Sequence, residues 1–366
     1  MKILFVTGTL SHGGAQRVIA EVSSQLVEFG HDVSVIVFRR YENEYPVDDR
    51  IRIFSLASSE DEYDRISSLK RAFMLRKIIR DIKPDVAVGF LEGGYGLFVS
   101  SLGMRFKKIA SARVNPVYLL EEGGLRGFLN RLWFRHADAV VMQTESQIAL
   151  LPRNCRWHRC TVIPNPASNT ALSSHEHEYN RPVTRIVMAG RLDDQKDYPM
   201  AIEAMESVHT RFPEIRLDIY GEGEDHSALE SKIRESGLDG VVNLKGWTQC
   251  ILEEYGKSDL YVMSSKFEGM PNSLMEAMAC GLVCISTDCE TGPSELISDG
   301  KNGYLIPVGD PVALSDKIIR IAEMSADERT EIGTNARESI TDRFSSEIIG
   351  KQWESLFDEV LRHQEN

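Results

Sequence analysis

Several familiar signatures are missing from this sequence of 366 residues. No window reaches the roughly eighteen consecutive apolar residues of a membrane span. The opening run Ile3 to Val6 is too short for the core of a secretion signal, and no small-residue cleavage pattern follows it, so the expected location is cytoplasmic. Cys155, Cys160, Cys250, Cys280, Cys284 and Cys289 contain no C-x-x-C pair, which argues against a zinc site or a disulfide framework and leaves reduced thiols. The run His175, Glu176, His177 lies in polar, turn-rich chain and reads as solvated linker. The stretch "GTLSHGGAQR", residues 8 to 17, has the glycine spacing of a Walker loop, but Gly14 stands where the lysine belongs and Ala15 where the hydroxyl belongs. It also fails the G-x-G-x-x-G fingerprint, because Leu10 follows Gly8 at the second glycine position; a nicotinamide dehydrogenase is therefore disfavoured.

What is present is an ordinary soluble composition, 42% apolar and 27% charged, in a chain long enough for two cores. Residues 1 to 166 hold 23 basic against 18 acidic side chains, net +5, whereas residues 167 to 366 hold 19 against 37, net −18. A basic half joined to a strongly acidic one suits an anionic partner or surface for the first half, and the acidity of the whole argues against nucleic acid.

Strand-like and helix-like runs alternate throughout, the pattern of parallel sheets with crossover helices. Strands are expected near 3–6, 33–38, 51–54, 86–90, 108–111, 139–142 and 160–163, and again near 185–188, 216–220, 241–245, 260–263, 283–286 and 303–306. Between the two sets, 167–182 is rich in Ser, Asn, Pro and His and reads as a linker. The expected division is a domain over 1–166, this linker, a second domain over 183–344, and a helix over 345–366 packing back on a domain surface through Trp353 and Phe357. Two doubly wound α/β domains would bind ligands at the carboxyl ends of their strands.

The chemistry concentrates in the second half. "EGMPNSLME" sets Glu268 and Glu276 eight apart around Gly269 and Pro271. On one helix that step would rotate them about 80° and separate them by about 12 Å, so they would not converge. Pro271 instead predicts a helix start, with Glu268 in the loop before it, Glu276 about a turn inside, and Gly281 as its stop. The amides of Asn272, Ser273 and Leu274 would then point out of the helix start, where the donors and the macrodipole favour an anion. "GRLDDQK" places Arg191 and Lys196 after Gly190 at the end of a strand, and two cations beside a helix start suit a diphosphate.

Together "GRLDDQKD", "EGMPNSLMEAMACG" with its E-x7-E glutamates, "PSELISDGKNGYLIPVGD" and "SHGGAQRV" resemble the retaining, GT-B-fold glycosyltransferases of family 4, over essentially the whole chain. The resemblance implies two Rossmann-like domains facing a cleft, and a nucleotide sugar, most often UDP-linked, held mainly by the second. It implies that Arg191 and Lys196 neutralise the diphosphate, that Glu276 holds the ribose hydroxyls, and that Glu268 meets the transferred sugar. Backbone near Gly221 and at Lys245 to Thr248, with Trp247 either bordering the base or only packing, would complete the donor site. Gly13 and Gly14 would let bare main chain approach the diphosphate. Metal independence is also implied, and no D-x-D motif is present.

The acceptor side is less marked. "SARVNP" has Ala112 where some family members carry a glutamate, which leaves Arg113, Asn115 and His12 as candidates. The expected acceptor is a hydroxyl of a saccharide, carried on polyprenyl diphosphate in bacterial surface-glycan synthesis. Two stretches mixing apolar and basic residues, 65–83 and 125–136, are either crossover helices with a solvated basic face or docking helices for an anionic membrane surface. A UDP-sugar epimerase and a non-catalytic sugar-binding protein are the alternatives; donor incubated without acceptor tests the first, and ligand affinity in Arg191→Ala tests the second.

Overall fold

The computed structural model describes residues 1–11, 13–90, 92–113, 123–151, 160–173, 177 and 179–362. The chain forms two units, Met1–Pro166 with Ser346–Asn366 and Ala167–Ser345. The first is built on strands β1 (Lys2–Thr7), β2 (Asp32–Arg39), β3 (Arg52–Ala57), β4 (Val86–Phe90), β5 (Lys107–Ser111), β6 (Ala139–Met142) and β7 (Cys160–Val162), in spatial order β3-β2-β1-β4-β5-β6-β7. The second uses β8 (Arg185–Ala189), β9 (Arg216–Tyr220), β10 (Val242–Gly246), β11 (Leu260–Met263), β12 (Val283–Thr287) and β13 (Tyr304–Ile306), in order β10-β9-β8-β11-β12-β13. Both sheets pair in parallel and reverse direction of winding beside their first strand, the doubly wound arrangement.

The central strands were legible because a parallel sheet covered on both faces buries them, so they appear as near-continuous apolar runs, whereas the outer strands β3 and β10 are partly exposed and carry polar residues. β4 and β12 are buried along their whole lengths. In the first unit the helix Ser68–Ile82 turns Leu75, Ile79 and Ile82 inward, is capped by the Ser67 hydroxyl, and stops where Lys83 turns left-handed at φ 52°. Leu69 and Phe73 on its other side remain 75% and 70% exposed. The helix Gly124–His136 buries Trp133 and Phe134. Among the described residues, no helix is long and apolar enough to cross a membrane.

The terminal helix Ser346–Arg362 belongs to the first unit. Its Trp353 is fully buried 6.2 Å from the Phe90 ring, which in turn stands 5.9 Å from Phe5. Gly350 permits close packing, since a Cβ there would lie 2.7 Å from Gln25 Cγ.

The segment read as a linker is different in the structure. It contains the helix Asn169–Leu172, and Ala167 and Ala171 are fully buried. The Tyr179 hydroxyl donates to the Gly281 carbonyl at 2.8 Å and accepts from the Val283 amide at 2.6 Å. Polar composition suggested free chain, but one aromatic side chain with two backbone partners fastens it to the second unit.

Candidate functional site

The loop after β8 is shaped by backbones in contact. Gly190 donates to the Tyr220 carbonyl at 3.0 Å, and Gly221 donates to the Gly246 carbonyl at 2.9 Å, so the carboxyl ends of three neighbouring strands are tied together. Gly221 has φ +146°, and a Cβ on it would lie 1.8 Å from the Gly190 oxygen. Only glycine fits that position. A Cβ on Gly190 would stand 3.0 Å from Lys196 Cε, so the glycine leaves the channel along which the lysine stem runs. Lys196 ends a single tight turn, Asp194–Lys196.

The loop after β11 is latched to this one. Ser264 Oγ donates to the Lys196 carbonyl at 2.7 Å, the Lys266 amide donates to the Gln195 carbonyl at 2.8 Å, and Gln195 Nε2 donates to the Phe267 carbonyl at 2.9 Å. Lys196 Nζ is thereby brought to 2.5 Å from Glu268 Oε1, with the two side chains only 15% and 8% exposed. Ser265 Oγ donates to the same oxygen at 2.7 Å, and Thr291 Oγ1 donates to the Glu268 carbonyl. Opposite charges taken out of water together are stable only as a hydrogen-bonded pair. The Cys289 thiol beside them is pushed up to about 12, first by burial and then by the Glu268 carboxylate.

The next helix, Asn272–Ala279, begins one residue later than its sequence suggested. Pro271 is its N-cap and supplies no capping side chain, so Asn272 is the first helical residue. Gly292 at φ +99° lets a neighbouring loop close over this start, for a Cβ there would lie 2.5 Å from the Gly269 carbonyl oxygen. Ser273 Oγ is 2.9 Å from the Tyr261 hydroxyl, Leu274 is fully buried, and Glu276, in the second turn, is 9% exposed. Glu268 sits in the loop and Glu276 in the helix.

The remaining residues singled out in the sequence have varied positions. Arg191 is 77% exposed and pairs with Asp193 at 3.1 Å, so its fork lies on the surface. Trp247 is half exposed in the loop after β10, and Thr248 Oγ1 accepts from the Cys250 amide at 3.0 Å. Ser264, Ser265 and Lys266, which follow β11 directly, went unremarked in the sequence; two hydroxyls and a cation at the carboxyl end of a central strand were the available signal. Lys266 pairs with Asp194.

In the first unit, Gly13 caps the helix Gly14–Glu28 at φ +116° without a side-chain cap, and both Gly13 and Gly14 are exposed. His12 and Asn115 lie outside the described residues. Arg113, an acceptor candidate from the sequence, is an interior residue. Its Nε donates to Ser111 Oγ at 2.9 Å and its Nη1 to Asn165 Oδ1 at 2.7 Å, while the guanidinium lies 5.1 Å from the Phe90 ring centre and 5.6 Å from that of Trp353. Among the described residues Nη2 has no partner, and burial pushes the group down to about 9. The terminal helix covers it, a long-range contact that local sequence could not announce. Among the described residues, no three His, Cys, Asp or Glu side chains gather where they could hold a metal ion.

Comparison with known proteins adds family information to this geometry. A family model described as "Glycosyl transferases group 1" matches residues 173–339, and one described as "Glycosyltransferase Family 4" matches residues 12–168. The Campylobacter jejuni GalNAc-alpha-(1->4)-GalNAc-alpha-(1->3)-diNAcBac-PP-undecaprenol alpha-1,4-N-acetyl-D-galactosaminyltransferase is 27% identical over 98% of this chain and 99% of its own. The amylovoran biosynthesis glycosyltransferase AmsD of Erwinia amylovora is 24% identical over 97% and 98% of the two chains. Among solved structures, S. aureus TarM in complex with fondaparinux, alpha-GlcNAc-glycerol and UDP superposes with a TM-score of 0.80 at 17% identity, covering 97% of this chain and 99% of that one. That likeness shows the GT-B fold.

Proposed function

The chain belongs to the glycosyltransferases that these two family models describe, and from that premise we propose that it moves a hexosyl or N-acetylhexosaminyl group from a UDP-sugar to a hydroxyl of a saccharide acceptor. The observation that carries this reading is the buried Lys196–Glu268 pair beside an uncapped helix start that also bears Glu276. Such a site offers an ammonium and main-chain amides to a diphosphate, and carboxylates to sugar hydroxyls. A diphosphate leaves readily once its growing negative charge is met by donors already in place, so most of the barrier lowering comes from preorganised electrostatics. In this reading Lys196 and Arg191 meet the phosphates, Arg191 exchanging Asp193 for an oxygen pair. Glu276 takes the ribose hydroxyls, Glu268 those of the transferred sugar, and Gly190, Gly221, Trp247 and Thr248 border the nucleoside. Asn272, Ser273 and Leu274 offer amides, with Gly269 giving the approach.

The reaction proceeds with retention of anomeric configuration and without a metal, the acceptor hydroxyl attacking on the face the diphosphate leaves. For the first unit, the proposal is that Gly13 and Gly14 present bare main chain to an anionic part of a substrate. The acceptor is a polyprenyl-diphosphate-linked saccharide. The enzyme works at the cytoplasmic face of a membrane, with exposed Leu69 and Phe73 and the surrounding cations of Ser68–Ile82 resting on anionic lipid.

The test is transfer from a panel of UDP-sugars to a polyprenyl-diphosphate saccharide, with the new linkage assigned by NMR. A product of unchanged anomeric configuration, formed in the presence of a chelator, is expected. An inverted product would remove the retaining mechanism, and isomerised donor without transfer would replace the reaction by epimerisation. Flotation with vesicles containing anionic lipid tests the membrane reading, which fails if Phe73→Ser binds them as well as wild type.

A further inference from the structure

Lys196 and Glu268 form a closed contact in which the carboxylate is held in place, while the lysine is anchored at its backbone and its ammonium can turn. The lysine stem runs through the space that the missing side chain of Gly190 leaves open, 3.0 Å from where a Cβ would be, and its carbonyl is held by Ser264 Oγ at 2.7 Å. On the other side, the Glu268 backbone is held by Thr291 and its Oε1 by Ser265 Oγ at 2.7 Å. With the side chains 15% and 8% exposed, solvent screens the contact poorly. An incoming phosphate that reaches Nζ must therefore share one ammonium with a fixed carboxylate, and two negative groups around one positive group repel.

We infer that this pair is an internal competitor for the leaving group, which allows an intact nucleotide sugar to bind while it rejects the nucleoside diphosphate left after transfer. The inference rests on the donor-site reading given above. A nucleotide sugar brings hydroxyl donors as well as phosphates, so Glu268 gains new partners when Lys196 turns toward the diphosphate. The bare diphosphate brings more negative charge and no sugar hydroxyls, and it leaves Glu268 beside an anion with the Ser265 hydroxyl in place of its ammonium. After transfer the ion pair closes again and the diphosphate departs. Glu268 thus acts twice, as a sugar contact in the loaded site and as the group that clears it, at a step that often limits turnover.

Titration calorimetry on the full chain tests this, with UDP and with UDP-glucose, UDP-GlcNAc and UDP-GalNAc as probes against wild type, Glu268→Gln and Glu268→Asp. The glutamine variant keeps the shape and loses the charge, and is expected to bind UDP about tenfold more tightly. The nucleotide sugar that wild type prefers should be held equally well or more weakly. Glu268→Asp, which withdraws the carboxylate by one methylene, should shift UDP in the same direction by less; it carries the test if thermal melting shows the glutamine variant unfolded. UDP affinity unchanged or weakened in the folded variants overturns the inference, as does equal tightening of UDP and nucleotide sugar, or a wild type that binds UDP but none of the three sugars. A wild type that binds no UDP removes the donor-site reading itself, and this inference with it; unchanged UDP affinity in the variants removes the inference alone.

Discussion

The two units use the same doubly wound strand order but treat buried charge differently at the carboxyl ends of their strands. In the second unit, a cation and a carboxylate from two loops meet at 2.5 Å, each neutralising the other. In the first, Arg113 stands interior and, among the described residues, has neutral partners, two aromatic rings nearby and one nitrogen without a hydrogen bond. Strand order therefore decides where a site can form, while the loops decide its charge. A paired charge can be exchanged for a ligand's charge; a cation held among neutral groups under a helix is fixed to the interior.

This contrast can be broken, and the largest effect is expected at glycine. Gly221→Ala drives a Cβ into the Gly190 oxygen, backbone against backbone, and should cost the second unit more than about 3 kcal/mol in urea unfolding. Gly13→Ala, strained at φ +116° but facing, among the described residues, the flexible Gln16 side chain, should cost about 1–2 kcal/mol. Equal losses would mean that both loops are equally tight. Next come the two cations, Lys196 largely and Arg113 almost fully withdrawn from solvent. Lys196→Met leaves Glu268 buried without its partner, and should lose about 3 kcal/mol of stability together with at least about a hundredfold in transfer rate. Arg113→Met removes a charge that has no carboxylate partner among the described residues, and should stay within about 1.5 kcal/mol of wild type because lost hydrogen bonds are offset by relief of desolvation. Matching losses in the two variants would show that Arg113 is compensated after all. The smallest change is expected for Trp247→Ala. Half exposed, it should leave stability within about 0.5 kcal/mol and weaken nucleotide-sugar binding by about three- to tenfold if its ring borders the base.

The central strands were readable because they are short runs of buried apolar residues, and the helix start was readable to within one residue because proline and glycine punctuate it. Contacts between residues far apart in the chain were not readable in the same way. Lys196 and Glu268 are 72 positions apart; strand-end position placed the lysine near the helix start, but the ion pair itself was not anticipated, since neither side chain carries a local sign of its partner. Tyr179 was hidden in a polar stretch, because one hydroxyl bonding to two backbone groups leaves no trace in composition. Arg113 was singled out only as an acceptor candidate, and its burial was not readable because it depends on Trp353, 240 residues later.

That separation in sequence also orders events during synthesis. The ribosome makes the seven strands of the first unit, then all of the second, and only afterwards the helix whose indole closes over Phe90 and Arg113. Until those last residues emerge, the nascent first unit carries an uncovered aromatic face. The core of the first unit is thus closed by residues made after the whole of the second.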